Sequence, residues 1–195
     1  LVYNWHMEAK KFTPSLKVLL YTGSDRIKDA AHFMQYDLVI TSYGISRIDT
    51  AEVLSKCYFN YIVLDESQAI KNPNSLISVE VRKLNARKKL ILTGTPIENS
   101  TLDLWSQLSF VNPGLLGNKK FFTSEYQIPI EKHQDVGKTL RLNNLIKPFI
   151  LRRDKSQVAK DLPEKTISVK YCTLTAKQKD YYEKLNPYFY FIIFI

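Results

Sequence analysis

Cysteine is scarce in this chain of 195 residues: Cys57 and Cys172 are the only two. They share no Cys-x-x-Cys or Cys/His spacing, which argues against a thiolate metal site and against a disulfide-held scaffold. The three histidines, His6, His32 and His133, are scattered and have no catalytic role assigned. No run reaches the roughly 18–20 apolar residues of a membrane span. The longest candidate, Tyr188 to Ile195, is too short. Residues 1–14 mix Trp, His, Glu and Lys, so no signal-peptide core is visible. Internal repeats and low-complexity segments are lacking too. A membrane partner is therefore not expected, and the scarce cysteines agree with a reducing, intracellular setting.

Charge of one sign is plentiful. Lys and Arg total 28 against 19 acids, a formal net charge of +9. Such a surface favours polyanions, nucleic acid first and an anionic membrane second, although basic residues also serve solubility alone. Hydrophobic residues at 45% and the chain length allow a core of useful size.

The first part of the chain alternates apolar β-rich runs with helical stretches. Lys17–Tyr21, Asp37–Thr41, Tyr61–Asp65 and Lys89–Thr93 read as strands. Helices are expected around Arg26–Phe33 and Ile45–Ser55, and a third with Asn72 as cap and Pro73 opening it. Ile77, Val81 and Leu84 recur at helical spacing. Ser100 and Asp103 resemble a capping box before a helix burying Leu104, Leu108 and Val111. Unbroken apolar strands suggest burial on both faces, hence an α/β fold with a mainly parallel sheet covered by helices. Ligands of such sheets sit beyond the carboxyl ends of the strands. Those ends carry Gly23-Ser24, Ser42-Tyr43-Gly44, Asp65-Glu66 and Thr93-Gly94-Thr95.

Residues 112–165 read as a small appended subdomain: irregular, aromatic and basic after Asn112-Pro113-Gly114, then helical around Leu140–Leu151. The expected division is 1–111, 112–185 and an atypical apolar tail, 186–195, which is either an aberrant end or a short strand needing burial.

Asp65 and Glu66 are the first chemical candidates. Two carboxylates where an apolar strand meets solvent suit nucleotide hydrolysis: one holds Mg²⁺ through water and the other orients or deprotonates the attacking water. The same pair also suits a solvated strand end or a helix cap. Thr93-Gly94-Thr95-Pro96 offers hydroxyls and a glycine for a phosphate, or simply a tight turn.

Several segments together resemble the Swi/Snf-type, helicase-like ATPases of helicase superfamily 2. Tyr61-Ile-Val-Leu-Asp-Glu-Ser-Gln-Ala-Ile-Lys-Asn-Pro-Asn-Ser75 is similar to their motif II, and Leu90 to Leu108 to motif III with its helix. Asn4-Trp5-x-x-Glu8-x-x-Lys11-Phe12-x-Pro14 resembles the motif Ia region, and Asp37 to Tyr43 motif Ib. Pro148 to Lys155, with Leu162 to Lys165, resembles the segment closing the first motor lobe. The likeness covers roughly residues 2–185 and implies an incomplete RecA-like lobe one.

The resemblance implies ATP and Mg²⁺ as cofactors and duplex DNA as partner. Asp65 would sit on Mg²⁺ and Glu66, beside it, would act as catalytic base. Gln68 would link the nucleotide to the second motor lobe of the same polypeptide. Thr93, Gly94 and Thr95 would couple hydrolysis to DNA movement. Asn4, Trp5, Thr41, Ser42 and Tyr43 would face the DNA strand. Apart from the resemblance, the basic pair Arg152 and Arg153 is a candidate either for phosphate or for local acids such as Asp154. A bacterial cytoplasm and a eukaryotic nucleus both suit such a protein.

The departures limit what these residues do alone. The family's phosphate loop ends in Gly-Lys-Thr, whose backbone N–H groups and Lys hold the phosphates. Gly137-Lys138-Thr139 matches only in letters: Lys132 stands where the loop's first Gly belongs, no strand leads in, and the triplet follows motif III. Leu1 is expected to lie just downstream of the true loop, and the second lobe with its arginine finger is missing. The isolated chain is therefore expected to be inactive. Two rival readings remain: a non-catalytic nucleic-acid-binding module with the same fold, and a metal-dependent nuclease needing further carboxylates, for which neighbouring strand ends offer only Asp25.

Overall fold

The computed structural model describes residues 1–94, 100–153 and 166–192. Thr95 and Asp154 lie outside them, as do Leu162–Lys165. The chain divides into two compact units, Leu1–Ile150 and Leu151–Ile195.

The first unit opens with helix α1 (Val2–Phe12), followed by β1 (Val18–Leu20), α2 (Ala30–Phe33) and β2 (Leu38–Ile40). Next come α3 (Tyr43–Asp49), β3 (Tyr58–Leu64), α4 (Leu76–Arg82), β4 (Asn85–Ile91) and α5 (Thr101–Val111). The fold is α/β with parallel pairing, as the alternating pattern requires. It differs from the expected sheet in one respect. Among the described residues β1 pairs only with β2, and β3 only with β4, giving two two-stranded ribbons.

Both ribbons turn one face to a single core. Tyr21, Phe33, Leu54, Leu64, Ile70, Val81 and Phe110 are buried there, with Leu19, Val39, Ile62 and Ile91 packed against them. The opposite face of β3–β4 is not buried as the apolar runs suggested. Tyr61 is 60% exposed and Val63 50%, and Leu90 and Leu92 are exposed beside them.

Helix starts differ from the sequence reading because side-chain caps decide them. Asn72 does not cap a helix: its Oδ1 accepts from the Asn74 N–H and holds a turn. Ser75 caps α4 instead, accepting from the Ser78 N–H at 3.3 Å. Asp29 caps α2 through Ala31, so Arg26 and Lys28 precede the helix and are free to reach Asp49. Ser42 caps α3, which ends at Asp49 and not near Ser55. Ser100 caps α5 as expected, through Leu102.

The stretch after residue 112 is more regular than expected. Asn118 caps α6 (Lys119–Phe122), a π turn runs Thr123–Gln127, and α7 (Ile128–His133) and α8 (Val136–Ile146) follow. Phe122 and Tyr126 lie one turn apart and pack with Leu104, Leu108, Leu116, Leu142 and Ile146. That second apolar cluster explains the helices, because it buries aromatic side chains that the sequence offered without strict periodicity. Helix α5 belongs to both clusters, with Leu104 and Leu108 in the second and Phe110 in the first. Arg82 ties it to α4, donating to the Ser78 hydroxyl from one guanidinium nitrogen and to the Ser106 hydroxyl and carbonyl from the other.

The second unit contains α9 (Ala176–Ile192), so residues 186–192 are helical and not the strand weighed for them. No helix among the described residues is long and apolar enough to cross a membrane.

Candidate active site at the end of β3

Strand β3 ends at Leu64, and its next two residues are the paired acids. Asp65 is half-buried and Glu66 exposed. Glu66 adopts left-handed backbone, φ 50° and ψ 51°, one of two non-glycine residues with positive φ among those described. A residue with a Cβ pays about 1 kcal/mol or more for this, and such strain collects at functional sites. The surrounding bonds enforce it: Leu92 donates to the Leu64 carbonyl, and Ser67 donates back to the Leu92 carbonyl. Ser67 is fully buried, its hydroxyl donating to Gln107 of α5 at 2.7 Å.

Both Asp65 oxygens are held. Oδ1 accepts the Glu66 N–H and Oδ2 accepts the Trp5 indole N–H, each at 2.9 Å. One lone-pair direction on each oxygen remains for water bound to a cation, which matches how Mg²⁺ is held by few carboxylates and several waters. The Asp65 carbonyl accepts from the Tyr43 hydroxyl at 2.9 Å. Burial first, then the charges of Asp65 and Glu66, push the Tyr43 phenol well above its ordinary range, so it stays a donor.

Glu66 begins a short relay. Gln68 donates its amide to Glu66 Oε2 at 2.8 Å and accepts the Thr93 hydroxyl at 3.0 Å through its own Oε1. The carboxylate of β3 is thus linked to the loop after β4. Gly94 follows Thr93 and is exposed.

The remaining expected residues are placed as follows. Asn4 is exposed on α1. Thr41 gives its hydroxyl to the Tyr21 carbonyl, and Ser42 spends its own on the α3 cap. Arg152 and Arg153 are exposed and belong to the second unit. Sequence reasoning did not foresee that Trp5 and Tyr43 would reach Asp65. No local pattern signals contacts across 60 and 22 positions.

Gly137-Lys138-Thr139 sits in the first turns of α8, where Asp135 caps the Lys138 N–H and Glu125 pairs with the Lys138 ammonium. It is helix, not a phosphate loop. Among the described residues no group of three His, Cys, Asp or Glu side chains converges, so the nuclease reading finds no additional carboxylates there.

The parallel α/β lobe thus places a pair of acids just past the end of β3 and links the second of them, through Gln68, to Thr93 after β4. The family profile described as SNF2-related domain matches residues 1–193, and the chain belongs to that family. It is 43% identical over 187 residues to the putative ATP-dependent helicase/translocase YwqA of Bacillus subtilis, covering 93% of this chain and 20% of that one. It is 40% identical over 196 residues to the TATA-binding protein-associated factor MOT1 of Saccharomyces cerevisiae, covering 93% of this chain and 10% of that protein. The Sulfolobus solfataricus SWI2/SNF2 ATPase core in complex with dsDNA superposes with a TM-score of 0.72 at 40% identity, covering 94% of this chain and 38% of that core. The chain therefore spans a fifth or less of the length of these two curated relatives.

Proposed function

We propose that these residues are part of the first motor lobe of an ATP-dependent translocase that moves on duplex DNA or remodels protein–DNA complexes. The observation that carries this reading is the hydrogen-bonded series Trp5–Asp65–Glu66–Gln68–Thr93, which joins a helix of the DNA-facing motif to the acid pair and on to the turn after β4. Asp65 would hold Mg²⁺ through water, and Glu66 would take the proton of the attacking water at its carboxylate. The ion would supply charge neutralisation on the phosphates. Gln68 fixes the Glu66 carboxylate and reports its state to Thr93. Asn4, Trp5, Thr41, Ser42 and Tyr43 face the DNA strand, and Thr93, Gly94 and Thr95 couple hydrolysis to DNA movement. Arg152 and Arg153 contact phosphate. Residues 1–111 form the motor part and 112–185 an appended part, followed by an atypical apolar tail, 186–195.

Phosphoryl transfer depends on positioning and electrostatics, and the phosphate loop and second lobe are not among these residues. The 195 residues alone are expected to turn over ATP negligibly. The longer polypeptide is expected to hydrolyse ATP with duplex stimulation, and Glu66→Gln to lower that rate about 10²–10⁴-fold. Duplex-stimulated turnover by the isolated 195 residues, abolished by Glu66→Gln, would overturn the dependence on the missing parts. An unaffected rate in the longer variant would overturn the role of Glu66.

A further inference from the structure

Helix α7 is seated against α5 by the second apolar cluster: Tyr126 is buried in it, and Ile130 packs against the group that holds Leu104 and Leu108. The residue after Ile130 is Glu131, and its carboxylate reaches the start of α5, 30 positions back in the sequence. Its Oε1 accepts the Thr101 N–H at 2.7 Å and the Thr101 hydroxyl at 2.8 Å. Its Oε2 accepts from the Gln127 amide at 3.3 Å, and the same amide nitrogen donates to the Ser100 hydroxyl at 3.2 Å. The Gln127 Oε1 is fixed in turn by the Thr123 hydroxyl at 3.1 Å.

The first-turn N–H groups of a helix find no acceptor within it. The Ser100 hydroxyl serves Leu102, and the Ser100 carbonyl serves Asp103. For Thr101 the acceptor comes from α7. A full negative charge there also suits the positive end of the α5 dipole and makes the bond charge-assisted. Burial raises the Glu131 pKa, but the bonds from Thr101, Ser100 and Gln127 outweigh it and hold the carboxyl below its usual range. The carboxylate is therefore ionised at neutral pH.

Thr93, Gly94 and Thr95 lead into α5 through residues 96–99. Upstream, Thr93 is tied to Glu66 through Gln68. Downstream, Ser100 and Thr101 are tied to Gln127 and Glu131. Gln107, about 9 Å along α5 from Thr101, accepts from Ser67, the residue after Glu66. We propose that Glu131 is a positioning residue for ATP hydrolysis: by capping α5 from α7, it fixes the far end of the segment that carries Thr93, Gly94 and Thr95. The inference rests on the proposed hydrolysis at Asp65 and Glu66. Glu131 acts through α5 and not on the nucleotide, so it governs turnover and not ATP binding. Small displacements that start far from the reacting atoms cost up to about a hundredfold in rate. A glutamine cannot replace Glu131, because its NH₂ faces either the Thr101 donors or the Gln127 amide, whichever way it is turned.

Steady-state ATPase of the longer polypeptide with saturating duplex DNA tests this. Glu131→Gln is expected to lower kcat about tenfold and to change KM for ATP by less than about twofold. Thr101→Val keeps the N–H bond and loses the hydroxyl one, and is expected to lower kcat about twofold to threefold. Glu125→Gln removes the ion pairs to Lys138 and Arg141 from the same group of helices and is expected to leave both constants unchanged. A wild-type kcat in Glu131→Gln overturns the inference. So does a KM that rises as far as kcat falls, or an equal loss in Glu125→Gln, since any weakening of these helices would then slow turnover. If Glu131→Gln does not fold, Thr101→Val decides: a lower kcat at steady KM supports the inference, and an unchanged kcat overturns it. These outcomes leave the hydrolysis reading standing. A longer wild-type polypeptide that hydrolyses no ATP overturns that reading and the inference with it.

Discussion

Asp49→Asn is the perturbation whose size the structure sets most directly. Asp49, at the end of α3, is fully buried. Its Oδ2 accepts from the Arg26 Nε at 2.5 Å and the Tyr21 hydroxyl at 2.8 Å, and the Lys28 ammonium lies 2.9 Å from Oδ1. The Arg26 bond, with help from Lys28 and Tyr21 and against the cost of burial, lowers the Asp49 pKa from 3.8 to about 2. Each unit is worth about 1.4 kcal/mol, so the ionised carboxylate contributes about 2.5 kcal/mol above pH 4. Lys28 is 42% exposed, and water screens its share, leaving about 2 kcal/mol. Because the folded pKa is the lower one, this stability is complete above about pH 4 and disappears as pH falls through about 2. Exchange protection of the Thr50 and Val53 amides, which close on Ser46 and Asp49, reads it. The variant is expected to lose about thirtyfold protection at pH 7, since about 1.4 kcal/mol is tenfold. Its stability curve is also expected to lose the fall between pH 4 and 2. Unchanged protection, or an unchanged acid limb, would refute the reasoning.

Two other substitutions probe the site and its support. Trp5→Phe keeps the ring but removes the donor to Asp65 Oδ2; the Mg²⁺ concentration giving half-maximal ATPase in the longer polypeptide is expected to rise about tenfold, as for loss of a hydrogen bond to a charged group of about 1.5 kcal/mol. Gln107→Leu strands the buried Ser67 hydroxyl beside the Asp65–Glu66 turn; unfolding by urea is expected to show a loss of about 1–3 kcal/mol, and an unchanged midpoint would place that hydroxyl in another bond.

The sequence by itself determined the class. Apolar runs ending in Asp65-Glu66 and Thr93-Gly94 placed strands, and the strands' carboxyl ends placed the acids on one edge, because an apolar run can turn one face to the core while the charges that follow it stay at the surface. Caps were legible where one residue competed, as at Ser100, and illegible where Asn72 and Ser75 both offered an oxygen to nearby N–H groups. Helices α6 and α7 were missed, and α8 was expected only from Leu140, because their order comes from a shared apolar cluster and not from a 3.6-residue stripe. Only the tertiary structure decided that Trp5 and Tyr43 meet Asp65, that Glu66 is held in left-handed backbone, and that β2 and β3 stand apart. Those facts depend on which distant groups can pair once water is excluded, and neither spacing nor composition carries that information.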